Sequence, residues 1–379
     1  MPPSPRPLVA AILTLAACGT PASPPPRTPP STSNAPWTLE AARPDTSHGL
    51  RILVLHDMEG LSGQSDPASF IFGTAAYPKG QELLAADVNA VIAGLYQGGA
   101  TEVMVVDGHG SGNPAPDLRR DLLDPRATQL TRDHYFDTYF DTPAVETFDG
   151  VAVVGMHGKT GSRGFAAHTY TFGIGIAING QFITETELVG LAWGRNRTPV
   201  IFSSGDDRLA ADLASTMPWI EYVTVKKAIA ADRAELRPVV EARAELTSGA
   251  KLAVENLRAG KTQVMRAPAP LRVGLRAVPP ADISALDGIP GIAYADSTAT
   301  VTVDSLKAGY DVLLKLVGIA TSGYRSGLFA IFDTKGDPKA RWDGFLSSVG
   351  KTWFDYESGR WKAPPAEAAA SGRKYHGSQ

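Results

Sequence analysis

Cysteine is almost absent from this chain, because its 379 residues include a single one, Cys18. A lone cysteine excludes an intramolecular disulfide and any zinc site built on several thiolates. The chain also has no excess of positive charge: it contains 36 Lys and Arg residues and 39 Asp and Glu residues, which gives a formal net charge of −3. This composition gives nucleic-acid binding no electrostatic basis. With 43% hydrophobic residues, the chain can bury one large or two medium cores.

The first 18 residues have the layout of a secretory signal. Arg6 precedes a short apolar run at 8–15, LVAAILTL, which is too short for a stable membrane span. The sequence LAAC at 15–18 is similar to the lipobox of bacterial lipoproteins, in which the cysteine becomes a lipid-bearing N-terminus. The alternative is an ordinary signal with a chance cysteine. We therefore expect a signal peptide at 1–18, lipidation at Cys18, and an extracytoplasmic, membrane-anchored protein on the periplasmic side or outer membrane of a bacterium.

Residues 19–48 are rich in Pro, Ser, Thr and Ala, including PPPRTPPSTS. Such a composition buries little apolar area and favours extended polyproline structure. It predicts a semi-rigid spacer between the membrane and a folded body.

The body is organised around the sequence RILVLHDMEGLSG at 51–63. Its apolar run predicts a buried strand, and two carboxylates, Asp57 and Glu59, follow directly. Open parallel sheets bind ligands beyond the carboxyl ends of their strands, so acids at this position face a cleft. Asp57 alone has the alternative of fixing a turn.

Two further apolar runs are each followed within three residues by a histidine. A predicted helix over 78–95 leads to the strand EVMVV at 102–106, which is followed by His109, and the run VAVVG at 151–155 is followed by His157. Strand, helix and strand over this length form a right-handed crossover with parallel strands. We predict an α/β fold: a mostly parallel sheet with helices on both faces, bearing a metal site at the strand carboxyl ends. Either histidine alone has the alternative of a hydrogen-bonded loop residue.

Further candidate residues lie downstream. A glycine-rich loop leads to His168, and Glu185 stands near the start of a predicted helix, with Glu187 as an alternative. Asp206 and Asp207 favour the N-cap and first turn of the next helix. Together, two histidines and three carboxylates are the ligand set of a pair of divalent cations such as zinc.

These motifs, in this order, resemble the D-aminopeptidase DppA family of metallopeptidases (M55). The resemblance rests on HDMEGLSG, VVDGHG, VGMHG, the histidine after the glycine-rich loop, ING before Glu185, and SGDD. It covers residues 51–226 and extends more loosely to about 322. It implies two Zn²⁺ per subunit, with Asp57 as the bridge, His168 as the catalytic histidine, and a homo-oligomer that is a ring-shaped decamer in the family. The implied zinc ligands are Asp57, Glu59, His109, His157 and Glu185.

The remaining chain is expected to add a smaller α+β lobe. We predict a catalytic α/β domain at 49–228, the α+β domain at 229–362 and a disordered tail at 363–379. The segment 323–360 extends past the family-like part. Its Trp342 and Trp353, with Trp361 just beyond, predict an added packed element or an interface.

The expected function is a lipid-anchored, dinuclear zinc aminopeptidase that hydrolyses short peptides with an N-terminal D-residue, such as those from cell-wall turnover. One alternative is another dinuclear hydrolase, an amidase or phosphoesterase, with the same ligands. A second is a solute-binding lipoprotein without catalysis, which would contain no stoichiometric metal. The expected partners are the peptide, the membrane through the lipid, and further copies of the chain.

Overall fold

The computed structural model describes residues 35–131, 139–140, 148–333 and 336–363. Their strands are β1 (Thr38–Ala41), β2 (Leu50–His56), β3 (Ala100–Asp107), β4 (Thr128–Leu130), β5 (Gly150–Val154), β6 (Ile174–Ile178), β7 (Gln181–Ile183), β8 (Val200–Asp206), β9 (Glu221–Ala230), β10 (Arg233–Leu236), β11 (Gln263–Arg266), β12 (Leu271–Ala277), β13 (Ala293–Ala295) and β14 (Thr298–Val303). Their α-helices are α1 (Tyr77–Gln97), α2 (Glu185–Gly194), α3 (Asp207–Leu213), α4 (Val239–Arg258), α5 (Leu306–Ala320), α6 (Arg325–Asp333), α7 (Pro338–Phe345) and α8 (Lys351–Glu357).

The central sheet has seven strands in the order β10-β9-β8-β5-β2-β3-β4 within the described residues. All neighbouring pairs are parallel except β10 with β9. His56, the last residue of β2, lies opposite Asp107 of β3 and Val154 of β5. The three strands therefore end level with one another, at the edge where a parallel sheet places its ligands.

Helices flank this sheet, as the sequence predicted. Residues 52–55 of β2 are fully buried, since a parallel strand covered on both faces needs apolar side chains throughout. Helices α1 and α4 pack against each other. Their approach is close because Gly94 has no side chain: a Cβ there would stand 2.1 Å from the carbonyl oxygen of Thr247.

A second sheet is antiparallel, with the order β13-β14-β12-β6-β7. It forms the smaller lobe together with α5, which packs on β12 and β14. Strand β6 precedes the expected domain boundary after residue 228 and β12 follows it, yet the two pair directly. The boundary position itself lies inside β9. The described residues from Pro36 onward form one compact unit.

The N-terminal expectations fall mostly on residues outside the described ranges, including the signal peptide and Cys18. The tail from residue 364 also lies outside them. Within the expected spacer, Trp37 is buried and β1 pairs with β11, so folded structure begins before residue 49. Among the described residues, no helix combines the length and the hydropathy that a membrane span requires.

Candidate metal centre

Three neighbouring strands deliver four of the predicted ligands. Asp57 and Glu59 follow β2, His109 follows β3, and His157 follows β5. All four side chains are buried. Because the strands end level with one another, their side chains meet at one place.

The fifth predicted ligand, Glu185, is the first residue of α2, and the structure separates it from Glu187. The Glu187 carboxylate accepts a hydrogen bond from the backbone N–H of Thr184 at 2.6 Å, and the Thr184 hydroxyl accepts one from the Glu187 N–H at 3.1 Å. This capping box occupies Glu187 at the start of the helix. Glu185 is left to face the strand ends.

A first group of donor atoms consists of Asp57, Glu59 and His109. His109 Nδ1 lies 2.8 Å from Asp57 Oδ1 and 3.2 Å from Glu59 Oε2. One ligand atom from each residue lies within 4.8 Å of the others. That spacing suits three ligands around one cation.

A second group consists of Asp57, His157 and Glu185. His157 Nε2 lies 3.3 Å from Asp57 Oδ2 and 3.6 Å from Glu185 Oε1, and one ligand atom of each residue again lies within 4.8 Å of the others. Asp57 belongs to both groups, with one oxygen toward each histidine. Asp57 could therefore contribute a ligand atom to a cation in either group.

His168, expected to be catalytic and not a ligand, lies against the second group. Its ring stacks on His157 with centroids 4.0 Å apart and planes at 14°. Its Nε2 is 3.9 Å from Glu185 Oε1. A third group with cation-holding spacing contains His168 together with Glu59 and His157, so geometry alone also permits His168 to bind a metal.

All three site histidines have one ring nitrogen at a backbone carbonyl: His109 Nε2 lies 3.0 Å from Phe70 O, His157 Nδ1 lies 3.0 Å from Gly158 O, and His168 Nδ1 lies 2.8 Å from Ala166 O. A metal-binding histidine typically donates its second N–H in this way, which fixes the tautomer. The remaining nitrogen of each ring is then directed toward the carboxylates.

The carboxyl groups respond differently to burial. Burial and the charge of Asp57 raise the pKa of Glu59 to about 7, and burial raises the pKa of Glu185. Burial acts against ionisation of Asp57 too, but His109 and His157 hold its pKa well below the usual range. Three buried carboxyl groups at such spacing are stable only with protons or cations between them.

The pKa values of the three site histidines also shift, two upward and one downward. Burial acts to lower the pKa of His157, but Glu185 and Asp57 raise it to about 10. The pKa of His109 is also raised, with Glu59 overcoming the effect of burial. Burial and the neighbouring His157 lower the pKa of His168. Positive charge is thus favoured at the two predicted ligand histidines.

The donor set fits divalent cations. His157 Nε2 is buried and has no hydrogen-bond partner among the described residues, although Asp57 Oδ2 is near. A buried nitrogen without a partner is costly, and a bound cation would satisfy it. Imidazole nitrogens with carboxylate oxygens are ligands that suit zinc.

The site opens into a cavity of about 340 Å³. Its inner end is lined by four of the candidate ligands, Asp57, Glu59, His109 and Glu185, and by His168. Its walls are mainly apolar, from Phe70, Ile71, Phe172, Leu314, Val317, Leu328, Phe329 and Phe332. An apolar cavity with convergent polar groups at one end is the usual form of a small-molecule site.

Sequence reasoning missed three residues that fix this site. The Tyr139 hydroxyl donates to Glu185 Oε2, and the Tyr170 N–H donates to Glu185 Oε1 at 2.6 Å. Trp353 of α8 contacts His168 edge-on. Tyr139 lies within a polar, poorly periodic stretch at 114–147, so no local signal marked it. Trp353 had been expected only as part of a packed element or interface.

Comparison with known proteins finds a matching family profile and a relative with a named activity. Residues 50–314 match the sequence profile of peptidase family M55, described as D-aminopeptidase. A protein of Bacillus subtilis (strain 168) named D-aminopeptidase is 27% identical over 208 residues, which are 55% of this chain and 74% of that protein. The matched family region ends before α6, α7 and α8.

A solved structure has the same fold. It is described as the Zn-dependent D-aminopeptidase DppA from Bacillus subtilis, a self-compartmentalizing protease, and it aligns with a TM-score of 0.64 at 23% identity. The alignment covers 72% of this chain and 98% of that one. The predicted α/β architecture with a mostly parallel sheet is confirmed.

Proposed function

The chain belongs to the D-aminopeptidase family of peptidases, M55, and on that premise we propose that it is a dinuclear zinc aminopeptidase. Its proposed substrates are short peptides with an N-terminal D-residue, such as D-alanyl peptides from cell-wall turnover. The observation that carries the proposal is the position of Asp57 between two histidines, each with its second ring nitrogen at a backbone carbonyl.

In this proposal each residue has a role that follows from its position. Asp57, Glu59 and His109 would hold one Zn²⁺, and Asp57, His157 and Glu185 the other. A zinc pair polarises a carbonyl and makes water a better nucleophile at neutral pH. His168 would move a proton between water and the leaving amine through Nε2, which is supported by its position in the cavity lining and by its Nδ1 at a carbonyl.

Metal analysis of purified variants tests the zinc assignment. The wild-type chain should contain two zinc ions, and Asp57→Asn should lose both because both groups share that carboxylate. Glu185→Gln should retain one. Glu187→Gln is the matched control: it alters an acid two residues away whose role is capping, so zinc content should stay at two. Full zinc content in Asp57→Asn would overturn the assignment.

Substrate assays test the reaction. The wild-type enzyme should hydrolyse D-alanyl-D-alanine and should not hydrolyse a phosphodiester such as bis(p-nitrophenyl) phosphate. The reverse pattern would favour the phosphoesterase alternative, and turnover of D-alaninamide alone would favour the amidase. A pure chain without metal and without turnover would favour the solute-binding lipoprotein.

We propose in addition that the protein is anchored outside the cytoplasm by a lipid on Cys18. The support is the apolar run and the LAAC sequence at 15–18. Radiolabelled palmitate should label the wild-type protein in bacterial cells and should not label Cys18→Ala. A soluble wild-type protein without label would contradict the anchor.

The chain is also proposed to form a homo-oligomer, with a decamer as the specific expectation. The related Bacillus subtilis structure is described as self-compartmentalizing, which supports assembly. Native mass spectrometry of a chain that starts at residue 35 should give ten copies. A monomer would contradict the proposal.

A further inference from the structure

The cavity above the metal centre has chemically different ends. Asp57, Glu59 and Glu185 line the inner end, and the walls are mainly apolar. Among the described residues that line the cavity, Arg325 is the single lysine or arginine. Zinc held by these carboxylates would bind a neutral amine, and a guanidinium binds a carboxylate, so this lining matches a molecule with an amine at one end and a carboxylate at the other.

Arg325 is held in place but has its donors available. It is the first residue of α6, and its backbone N–H donates to Thr321 O at 2.9 Å. The preceding Tyr324 is buried, and its hydroxyl donates to Phe172 O at 2.8 Å. The Arg325 guanidinium lies 5.1 Å from the ring centroid of Phe329, which also lines the cavity.

No ion pair or side-chain hydrogen bond engages the Arg325 guanidinium within the described part of the chain. This distinguishes it from Arg341, whose guanidinium donates to Phe332 O, and from Arg360, which pairs with Asp232. A guanidinium presents a planar fork of N–H donors that matches a carboxylate. An available fork at the wall of the cavity is suited to binding a carboxylate there.

The size of the cavity limits the ligand. Its volume of about 340 Å³ is near the lower end of the range for small-molecule sites. Two extended residues span at most about 7 Å. A dipeptide is thus of suitable size, with its amine toward the candidate metal ligands and its carboxylate toward Arg325.

We infer that Arg325 binds the C-terminal carboxylate of the substrate and makes this aminopeptidase selective for dipeptides. This inference rests on the proposed function. Arg325 lies outside the matched residues 50–314, so the selectivity would be a property of the added helices of this chain.

Paired substrates test the inference. Kinetics of D-alanyl-D-alanine and of its C-terminal amide should be measured for the zinc-loaded wild type, Arg325→Gln and Arg325→Lys. For the free acid, Arg325→Gln should lower kcat/KM by about 10- to 100-fold, mainly through KM, because a charged hydrogen bond is lost. For the amide, the same variant should change kcat/KM less than threefold. Arg325→Lys should fall between, since it keeps the charge without the fork.

Lys315→Gln is the matched control, because it removes one positive charge from an exposed position on α5 that does not line the cavity. It should leave both substrates unaffected. The melting temperature of Arg325→Gln should equal that of wild type, because the side chain is exposed and unpaired within the described part of the chain. Equal effects of Arg325→Gln on the acid and the amide would overturn the inference.

The two proposals can fail separately. A wild-type enzyme that cleaves neither compound would refute the proposed function. Calorimetric binding of the two compounds would then still decide the role of Arg325. A preference for the acid that Arg325→Gln abolishes would support it, and equal affinities would overturn it.

Discussion

The indole ring of Trp353 stands edge-on to the imidazole ring of His168, with centroids 5.5 Å apart and planes at 89°. Trp353 is fully buried, and its Nε1–H donates to Ala167 O at 3.0 Å. The same ring contacts Phe172 at 4.5 Å. A residue of α8, beyond the family-matched region, thus fixes both the ring of His168 and the backbone beside it.

Trp353→Phe should therefore affect catalysis as well as stability. Phenylalanine cannot donate to Ala167 O, and an unsatisfied buried carbonyl costs about 1–3 kcal/mol. A displaced His168 should lower kcat by about 10- to 100-fold with little change in KM, because proton transfer depends on position. Steady-state kinetics and urea unfolding measure the two effects.

The control for this prediction is Trp361→Phe, the same change at a half-exposed tryptophan that packs on Tyr356 and does not contact His168. It should preserve kcat. If Trp353→Phe also keeps the wild-type kcat, Trp353 supports the fold and does not position His168.

The buried carboxyl group of Glu357 should make a pH-dependent contribution to stability. It is buried, and both carboxylate oxygens accept from the N–H of Gly161, at 2.9 and 3.1 Å. Burial raises its pKa from 4.5 to about 7. Because the folded state holds the proton more tightly, this contribution is fully present below pH 4.5 and is lost as the pH rises through 7.

Glu357→Gln should remove this dependence, since an amide oxygen can still accept from Gly161 and cannot titrate. The unfolding free energy of wild type relative to Glu357→Gln should fall by on the order of 3 kcal/mol between pH 4.5 and 8. Urea unfolding at several pH values measures it for both proteins. Parallel curves would contradict the prediction.

Lys226 should stabilise the segment that carries Glu59. Its buried ammonium donates to Glu59 O at 2.5 Å, to Gln64 O at 3.1 Å and to Gln64 Oε1 at 2.9 Å. Lys226→Met keeps much of the volume but leaves these acceptors without a donor. We expect a loss of about 1–3 kcal/mol in urea unfolding and a zinc affinity lower by about 10- to 100-fold.

The neighbouring Lys227 is exposed, so Lys227→Met is the matched control and should change stability by less than about 0.5 kcal/mol. Equal zinc affinities in Lys226→Met and Lys227→Met would show that the Lys226 ammonium does not support the metal centre.

The parallel sheet and the strand-end residues could be predicted because their signals are local. An apolar run of strand length followed by a polar residue places that residue at the sheet edge, and this was sufficient to bring Asp57, His109 and His157 together. Asp206 was favoured as an N-cap, and its carboxylate does accept from the N–H groups of Arg208 and Leu209.

Contacts between distant segments could not be predicted in this way. The pairing of β6 with β12 joins residues on opposite sides of the expected domain boundary, and an apolar run does not specify its partner strand. Tyr139 reaches Glu185 across 46 positions, and Trp353 reaches Ala167 across 186. Such contacts follow from the tertiary structure, and the periodicity of apolar residues in the sequence does not specify them.

Zinc should also stabilise the folded chain, which gives the metal centre a readout independent of catalysis. A ligand that binds only the folded state at about 1,000 times its Kd adds about 4 kcal/mol. Removal of zinc with a chelator should therefore lower the melting temperature of wild type, measured by differential scanning fluorimetry. Asp57→Asn, which lacks the shared carboxylate, should show little change on chelation.

Glu187→Ala separates the metal from the helix cap. Loss of the capping box at Thr184 should lower its melting temperature with and without zinc, because a cap contributes about 1 kcal/mol. Its shift on chelation should nevertheless equal that of wild type, since Glu187 is outside both donor groups. A wild-type shift in Asp57→Asn would mean that zinc stabilises the protein at another place, and the bridging role of Asp57 would be wrong.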